Sequence, residues 1–293
     1  MNILRDKQNL SEGRSAPATW YADWQNEEHV RLFDRRATLK DRDLVRNFES
    51  FNDVRILGNS LDRSRPLTLL EVGCATGEFH RYIRIKYPRV NYIGVDISRT
   101  AIARARQKYP EACFFASDPT LRISEELKAI GIPERPEVVY SKDVLHHQTD
   151  PFGFLSQLLE VASEILILRT RTRDLGQTVM DPERSCQRHY DGWVPYIVIN
   201  LQELIDLIQS QVPTCEMLVY RSRMILGGHE NRFLPKDCYL SETGTAETAI
   251  GIFLKTGHSG QVRIENRWDV DPSRSFRGLL KDVARRFFLR RSR

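Results

Sequence analysis

The sequence predicts an α/β protein with a mostly parallel, doubly wound sheet of seven strands and helices on both faces. Two observations support this prediction. Short apolar segments alternate with amphipathic helical segments along the middle of the chain, which is typical of parallel strands joined by helices. The last two apolar segments have no helix between them, which predicts one antiparallel strand at the edge of the sheet.

Apolar segments bounded by turn residues define the strands. They are Leu67–Val72, Asn91–Asp96, Ala112–Ala116, Glu137–Tyr140, Glu164–Thr170, Met217–Met224 and Ala249–Lys255. Helical periodicity between them predicts the helices Gly77–Lys86, Arg99–Lys108, Phe152–Ala162 and Leu201–Gln211. Ser98 is a good N-cap for the second of these helices, and Pro88 and Pro110 end the first two.

The chain divides into three parts by composition and pattern. Residues 1–64 are predicted to be an N-terminal helical cap over a substrate site, because aromatic residues alternate with charges over residues 20–62. Residues 65–257 hold all the predicted strands, with a long loop at 173–199 that is typical of a substrate-recognition insertion. Residues 258–293 are predicted to be an extension that contains a basic amphipathic helix.

The turn after the first predicted strand is rich in small residues. It reads Glu71-Val72-Gly73-Cys74-Ala75-Thr76-Gly77, and glycines at such a turn let backbone amides approach a ligand closely. The second predicted strand ends on Asp96, whose carboxylate can accept hydrogen bonds from both hydroxyls of a ribose. Together these features predict a nucleoside-bearing cofactor at the carboxyl edge of the sheet.

The spacing of the glycines distinguishes between classes of cofactor. Glu78 stands where the dinucleotide-binding fingerprint has its third glycine, so a dinucleotide is not favoured. The turn resembles the first motif of the class I S-adenosylmethionine-dependent methyltransferases, acidic-x-Gly-x-Gly-x-Gly. Glu71, Gly73 and Gly77 match that motif, and Ala75 replaces its middle glycine. The resemblance is close over residues 66–172 and implies a Rossmann-like fold with S-adenosylmethionine as the cofactor.

The resemblance also implies which residues contact that cofactor. Asp96 matches the ribose-binding acid of the family, and Asp118 stands where an acid can accept the adenine amino group. The alternative for Asp118 is a turn-forming aspartate before Pro119. The predicted cofactor-binding residues are Glu71, Gly73, Cys74, Ala75, Gly77, Asp96, Ile97, Asp118 and Ser141.

The segment Val144-Leu145-His146-His147-Gln148-Thr149-Asp150-Pro151 follows the fourth predicted strand. It resembles the V-L-H-H-x-x-D-P segment of family members that methylate oxygen or carbon of small molecules. His146, His147 and, further along the chain, His189 are candidate catalytic bases toward a hydroxyl, because imidazole titrates near neutral pH. The alternative for the adjacent pair is a structural role. An Asn/Asp-Pro-Pro-aromatic tetrad is absent, and no cysteine directly follows a proline here, so methylation of adenine N6 or of cytosine is not supported.

The predicted loop at 173–199 collects aromatic and charged side chains at the carboxyl edge of the sheet. Arg188, Tyr190 and Trp193 are therefore predicted to contact the substrate. The alternative is a surface loop that Trp193 holds against the body of the protein. Arg169, at the end of the fifth predicted strand, is predicted to bind an anionic substrate group, with solvation or ion pairing as the alternative.

The net charge of +5 is concentrated at one end of the chain. Residues 273–293 carry seven arginines and one lysine against one aspartate, so the remainder has a net charge of −2. The body therefore lacks the basic face that phosphate binding needs, and no nucleic-acid partner is expected. Residues 276–291 place apolar side chains on one helical face and arginines opposite. They predict a helix that either contacts an anionic membrane surface or docks on protein.

The number and spacing of the cysteines indicate the cellular compartment and whether a metal site is expected. The five cysteines are scattered without a C-x-x-C pair, which predicts neither a zinc site nor a disulfide framework and points to a reducing compartment. The first 19 residues lack the apolar core of a signal peptide. We therefore expect no metal and a cytoplasmic protein, at the inner face of the membrane if the basic helix binds lipid.

The residues and the resemblance together predict an enzyme that transfers a methyl group to a small molecule. The expected acceptor is a hydroxyl of a sugar or glycan precursor in surface polysaccharide biosynthesis. A quinone or a secondary metabolite is an alternative acceptor, which an apolar acceptor cavity would favour. A non-catalytic module that keeps the cofactor fold is an alternative from a different class, and RNA modification is disfavoured by the acidic body. The oligomeric state is left open.

Overall fold

The computed structural model describes residues 22–34, 36–62, 64–119, 121–132, 135–190, 192–223, 232–239, 243–255 and 260–266. A mostly parallel central sheet lies between helices, and three further strands form a smaller antiparallel sheet. The predicted α/β class with a Rossmann-like sheet is thus confirmed.

The described residues form twelve strands and eight α-helices. The strands are β1 (Leu67–Val72), β2 (Val90–Asp96), β3 (Cys113–Ala116), β4 (Val138–Lys142), β5 (Ile165–Arg173), β6 (Cys186–His189), β7 (Gly192–Pro195), β8 (Ile199–Asn200), β9 (Glu216–Arg223), β10 (Arg232–Phe233), β11 (Ala246–Phe253) and β12 (Val262–Asn266). The helices are α1 (Glu27–Asp34), α2 (Asp41–Glu49), α3 (Asn52–Ser60), α4 (Glu78–Lys86), α5 (Arg99–Lys108), α6 (Ile123–Ala129), α7 (Pro151–Val161) and α8 (Leu201–Gln211).

The central sheet has the strand order β12-β9-β11-β5-β4-β1-β2-β3, with β8 paired to β5. Strands β1 to β5 are parallel to their neighbours among themselves, whereas β11 is antiparallel to both β5 and β9. The sheet therefore has nine strands rather than the predicted seven. The antiparallel strand also lies inside the sheet and not at its edge, because β12 and β9 extend the sheet beyond it.

In the central sheet and its helix layers, the sequence prediction missed β8, β12 and α6. Strand β12 contains only half-buried and exposed residues and has no apolar run, and β8 is only two residues long. Helix α6 is one of the shorter helices and buries Ile123 and Leu127. Such short elements give little periodicity, and long-range pairing or packing stabilises them.

The segment predicted as a loop at 173–199 contains regular structure. Strands β6 and β7 pair antiparallel, and β10 pairs with β6 from the other side, so the three form a separate sheet. Gln187 and His189 on β6 line the main cleft of the protein. The hairpin thus brings side chains from the middle of the chain to the carboxyl edge of the central sheet.

The predicted helical region at 20–62 contains α1, α2 and α3. Leu44 and Phe48 on α2 are buried in the same apolar cluster as Ile56 and Leu57 on α3 and Tyr82 on α4. These helices therefore cover one face of the sheet, and α7 and α8 pack against the other through a second apolar cluster. The division of the chain at residues 64 and 257 stays a prediction, although β12, from the predicted C-terminal extension, joins the central sheet.

None of the helices in the described part of the chain is long and apolar enough to span a membrane. The basic segment 276–291 lies outside the described residues, so its predicted helix stays a prediction.

Candidate functional site

The loop between β1 and α4 has three residues with positive φ. Gly73 and Gly77 have φ of 88° and 83°, and Ala75 has φ of 47°. A Cβ atom on Gly73 would lie 2.2 Å from Cγ2 of Val144, so sterics as well as φ require glycine there. At Ala75 the left-handed conformation costs roughly 1–2 kcal/mol, which the glycine of the related motif would not incur.

Asp96 fixes this loop from the end of β2. Its Oδ2 accepts a hydrogen bond from the Ala75 N–H at 2.8 Å, and its Oδ1 accepts one from the Ser98 N–H at 2.8 Å. Burial raises the pKa of the Asp96 carboxyl, and the two amides oppose that rise. An ionised carboxylate has about four acceptor positions, so two remain for the hydroxyls of a ribose.

Two predicted cofactor-binding residues lie behind the loop. Glu71 accepts a hydrogen bond from the Tyr92 hydroxyl, and burial raises the pKa of Glu71 to about 8. Glu71 is therefore protonated at neutral pH and adds no charge to the cleft. Cys74 is buried beside Gly94, and burial raises the pKa of its thiol well above the ordinary value, so it is not a reactive thiolate.

The far end of the nucleoside side is formed after β3. Asp118 is exposed, and its N–H donates to Oε1 of Glu126, while the Ser117 hydroxyl donates to Oε2 of the same carboxylate at 2.7 Å. Burial raises the pKa of Glu126. Glu126 holds the backbone N–H of Asp118, and the Asp118 side chain lies at the rim of the cleft.

One cleft of about 500 Å³ runs along the carboxyl ends of β1, β2 and β4. Gln25, in the one-turn helix Ala22–Gln25, fastens the N-terminal segment over it. The Gln25 side chain donates to the Ile97 carbonyl at 2.8 Å and accepts from the Arg99 N–H at 2.9 Å. The cleft is therefore closed on one side by residues from the start of the described chain.

The residues at this end of the cleft fit S-adenosylmethionine. Gly73 leaves space that a Cβ would fill, Asp96 keeps free acceptor positions, and Ile97 lines the cleft next to it. The predicted cofactor-binding residues that line the cleft are Glu71, Gly73, Cys74, Ala75, Asp96, Ile97 and Asp118. Their individual contacts with the cofactor stay predictions.

Two predicted cofactor-binding residues do not line the cleft. Gly77 caps the start of α4 in the left-handed conformation, and a Cβ there would meet the Phe114 ring at 2.7 Å. Ser141 is buried in β4, and its hydroxyl donates to the Val72 carbonyl at 3.1 Å. Both residues lie behind the loop. Gly77 forms the start of α4, and the Ser141 hydroxyl is used in a hydrogen bond to Val72 on the neighbouring strand β1.

Three histidines and Trp24 form a cluster at the opposite end of the cleft. His189 Nε2 lies 2.9 Å from His29 Nδ1, and the Trp24 ring centroid lies 4.6 Å from that of His189. The Trp24 centroid is also 5.1 Å from His29 and 5.0 Å from His147. Trp24, His29, His147 and His189 all line the cleft. We call these four residues the histidine cluster.

His147 has a defined tautomer. Its Nδ1 lies 2.7 Å from the Pro195 carbonyl, which can only accept, so Nδ1 carries the proton. Nε2 then holds a lone pair and has no hydrogen-bond partner among the described residues. Burial lowers the pKa of His147 to about 4, so the imidazole is neutral at pH 7. Of the three predicted bases, His147 has the arrangement a proton acceptor needs.

The structure does not place His146, the second predicted base, in the cleft. His146 is 1% exposed, does not line the cleft and has its Nδ1 3.5 Å from the Thr170 hydroxyl. Burial lowers its pKa well below the ordinary value. Adjacent residues in the one-turn helix Leu145–His147 point in different directions, so only one histidine of the pair reaches the cleft.

The predicted substrate residues of the hairpin do not line the cleft. Arg188 is exposed on β6, and the Trp193 ring packs on Phe233 of β10 with centroids 5.0 Å apart. Tyr190 has φ of 51° and packs edge-on against His189, with centroids 4.9 Å apart. Alternation along β6 explains the outcome, because Gln187 and His189 face the cleft and Arg188 faces away.

Arg169 lines the cleft, but carboxylates surround it. Its guanidinium donates to both oxygens of Asp143 and to Glu247, and it lies 3.9 Å from Asp53. These carboxylates raise the pKa of Arg169 against the effect of burial. The ion-pairing alternative therefore describes Arg169 better than the prediction that it binds an anionic substrate group.

Several cleft residues were missed by sequence reasoning. Trp24 and His29 lie in the aromatic N-terminal segment, where the pattern indicated a cap without indicating which side chains face the cleft. Arg36 and Lys142 also line the cleft. Lys142 directly follows Ser141 in β4, so the two side chains lie on opposite faces of the strand, and alternation alone does not say which face borders the cleft. Among the described residues, no group of three or more His, Cys, Asp or Glu side chains is placed to hold a metal ion.

Comparisons with known proteins agree with this geometry. A family described as a methyltransferase domain matches residues 70–164, which extend from β1 to the start of β5. No match is found among curated proteins.

Solved structures match over most of the chain at low identity. The O-methyltransferase of a trans-AT PKS multienzyme of Brevibacillus brevis, with S-adenosyl-L-homocysteine, is 13% identical, with 71% of this chain and 73% of that chain covered and a TM-score of 0.50. The plantazolicin methyltransferase, also with S-adenosyl-L-homocysteine, is 17% identical, covering 80% and 94%, with a TM-score of 0.47. Magnesium protoporphyrin IX methyltransferase from Synechocystis PCC 6803, with S-adenosylmethionine, is 14% identical, covering 83% and 99%, with a TM-score of 0.48.

At such identities the structural likeness shows the fold alone. The family match indicates methyl transfer, and the loop geometry fits the cofactor. The matched segment contains the turn with its positive-φ glycines and Asp96. The chain therefore contains a methyltransferase domain at residues 70–164, and its cofactor is S-adenosylmethionine.

Proposed function

We propose that this enzyme methylates a hydroxyl oxygen of a small molecule, with His147 as the general base. The observation that carries the proposal is the His147 tautomer. The Pro195 carbonyl holds the proton on Nδ1, so the lone pair on Nε2 is available in the same cleft as the cofactor-binding loop. A pKa of about 4 keeps His147 unprotonated at neutral pH, and the same shift makes it a weaker base than an ordinary imidazole, so the proposal rests on the position of Nε2 and not on its basicity.

The residues of the cleft have separate tasks in this proposal. When bound, S-adenosylmethionine supplies an electrophilic methyl group on a sulfonium centre. Asp96 and the backbone of the Gly73 loop hold and orient the nucleoside and the methionine portion. His147 takes the hydroxyl proton, and Trp24, whose ring packs against His147, excludes water from that end of the cleft.

We infer that the acceptor is a sugar or a glycan precursor. Trp24 offers an aromatic face, and Gln148, Gln187 and His189 add polar groups to the same cleft. An apolar face bordered by hydrogen-bonding side chains suits a pyranose ring, which has both C–H faces and a ring of hydroxyls. A role in surface polysaccharide biosynthesis would follow from this acceptor class.

A panel assay tests both parts of the proposal. The full chain is incubated with methyl-labelled S-adenosylmethionine and monosaccharides, nucleotide sugars and phenols, and methylated products are identified by mass spectrometry. We expect methyl ethers of a sugar, and a large loss of product with His147→Asn. Asparagine can donate to the Pro195 carbonyl as Nδ1 does, but it has no counterpart of Nε2. Methyl transfer to carbon or nitrogen, or an unaffected His147→Asn enzyme, contradicts the proposal.

A quinone or another apolar secondary metabolite is the second candidate acceptor. Phe33, Phe48 and Phe79 line the same cleft and provide an apolar wall. Phenolic acceptors in the same panel distinguish the candidates, because a phenol would be methylated in preference to every sugar if this wall holds the acceptor.

We also propose that residues 276–291 bring the enzyme to anionic membranes at the inner face of the cell membrane. A chain that ends at Asp271 should bind S-adenosylmethionine as the full chain does, yet no longer sediment with anionic vesicles. If the full chain ignores such vesicles at low salt, docking of this segment on protein is the better description.

A further inference from the structure

The cleft has a basic arm, formed by Arg36, Phe48, Lys142 and Arg169, which the proposed methyl transfer does not use. All four residues line the same cleft as Gly73 and Asp96. Phe51 lies behind them, and its ring centroid is 3.4 Å from Lys142 Nζ, 4.7 Å from Arg169 Cζ and 5.9 Å from Arg36 Cζ. Three cationic groups thus surround one aromatic ring at the edge of the cleft.

Among the described residues, Arg169 is the one of these three cations that forms ion pairs. Arg169 contacts Asp143 and Glu247, and Asp53 lies 3.9 Å away. Asp53 is in turn held by the Tyr140 hydroxyl. None of these carboxylates forms an ion pair with Arg36 or Lys142 within the described chain, so the negative charge of the region is concentrated on Arg169 and its neighbour Arg171.

The Arg36 guanidinium lies beside two aromatic rings. Its charged end lies 5.6 Å from the Phe48 ring and near Phe51, and it makes no side-chain hydrogen bond or ion pair with any residue that the structure describes. Stacking on aromatic rings orients the guanidinium without using its five donors. Those donors remain available for a planar or tetrahedral oxyanion.

Lys142 is the second unpaired group. Its Nζ is buried and has no hydrogen-bond partner within the described residues. Burial, followed by the charge of Arg169, lowers the pKa of Lys142 to about 7. A buried amine without a partner is unfavourable, and an anion beside it would supply the missing hydrogen bond and favour the charged form.

We propose that the acceptor carries an oxyanion, a carboxylate or a phosphate, and that Arg36 and Lys142 bind it in the basic arm. This inference rests on the proposed function, because it concerns the acceptor of the same cleft. It reassigns anion recognition from Arg169, where the sequence predicted it, to Arg36 and Lys142. An acidic sugar or a sugar phosphate combines this feature with a hydroxyl to be methylated.

Calorimetry on the full chain saturated with S-adenosylhomocysteine tests the proposal. The probes are glucuronate, glucose 6-phosphate and inorganic phosphate, with glucose as the neutral partner of the first two. We expect both anionic sugars to bind at least about tenfold more tightly than glucose, and Arg36→Gln and Lys142→Met each to remove about tenfold of that affinity. Lys142→Arg should retain most of it.

Arg46→Gln is the matched control, because Arg46 is an exposed arginine on α2 that does not line the cleft. It should bind all probes as the original protein does. If all three anions fail to bind at millimolar concentration, or if they bind equally well to Arg36→Gln, the proposal is overturned. Failure to bind S-adenosylhomocysteine itself would instead overturn the functional assignment, so the two failures are distinguishable.

Discussion

The two ends of the cleft are built in different ways. At the cofactor end, the loop is fixed by hydrogen bonds from the Gly73 and Ala75 N–H groups to Val95 and Asp96 in the next strand along the chain, and most of these bonds involve the backbone. At the acceptor end, the histidine cluster joins side chains that are as much as 160 residues apart, such as His29 and His189. A short motif therefore defines the first end, and packing of distant elements defines the second.

This difference predicts different responses to mutation. Changes at the cofactor end should alter loop geometry and thereby cofactor affinity. Changes in the histidine cluster should alter turnover or local stability and leave cofactor affinity nearly unchanged, because separate elements carry the two ends.

The largest effect is expected for Gly73→Val. Its Cβ would clash with Val144, and the positive φ of Gly73 is unfavourable for a β-branched residue. We expect no measurable binding of S-adenosylhomocysteine by calorimetry and a loss of more than about 3 kcal/mol in the free energy of unfolding.

Gly131→Ala is the control for Gly73→Val. Gly131 also has a positive φ, of 81°, but nothing lies within 4 Å of a Cβ there. It should cost roughly 1–2 kcal/mol of stability and leave cofactor affinity unchanged. If both variants lost cofactor binding equally, backbone strain at any positive-φ glycine would be enough to abolish binding. That result would contradict the role given to the Gly73 loop.

His147→Asn should lower turnover by about 10²–10⁴, because a positioned general base contributes that much. Its affinity for S-adenosylhomocysteine should not change, since His147 belongs to the acceptor end. The measurement is kcat at saturating cofactor with an accepted substrate. The buried neighbour His146, changed to Asn, should lower the melting temperature with a much smaller effect on the turnover of folded enzyme. A decrease in kcat below about tenfold for His147→Asn would exclude it as the base.

Asp96→Ala should weaken S-adenosylmethionine binding by about 1.5–3 kcal/mol, through loss of a charge-assisted contact with the ribose. Asp62→Ala is a matched control, because Asp62 accepts a hydrogen bond from Ser64 N–H at 2.8 Å, as Asp96 does from Ser98. Titration calorimetry compares the two. Unchanged affinity in Asp96→Ala would contradict the assignment of the ribose site.

The smallest effect is a pH dependence of stability from the histidine cluster. Burial lowers the pKa of His29 and of His147 from 6.5 to about 4. As the pH falls below about 6.5, the unfolded chain binds protons that the folded chain does not, so the free energy of unfolding decreases until about pH 4. Urea denaturation at about pH 7 and pH 5 should show this decrease, and it should be smaller in His29→Gln. If the free energy of unfolding decreased equally in both proteins, His29 would not contribute to the pH dependence of stability.

Sequence reasoning succeeded where function depends on local backbone. The order Glu71-Val72-Gly73, followed by Asp96 at the end of the next strand, indicated the cofactor and its end of the cleft, because parallel strands carry their loops to one edge. It failed at Ser141 and Lys142, which are adjacent in β4. Both residues are polar, so the sequence pattern does not distinguish the face that borders the cleft. The packing of the sheet between two helix layers decides which side chain lies there.

The sequence by itself determined the α/β class, the cofactor and the chemistry of methyl transfer, because these depend on strand periodicity and on one short loop. The tertiary structure decided which of His146 and His147 reaches the cleft, how Arg169 is neutralised, and that Trp24, His29 and Arg36 line the cleft. The physical reason is that these arrangements arise from contacts between elements far apart in the chain, and neither periodicity nor spacing records which distant surfaces will pack together.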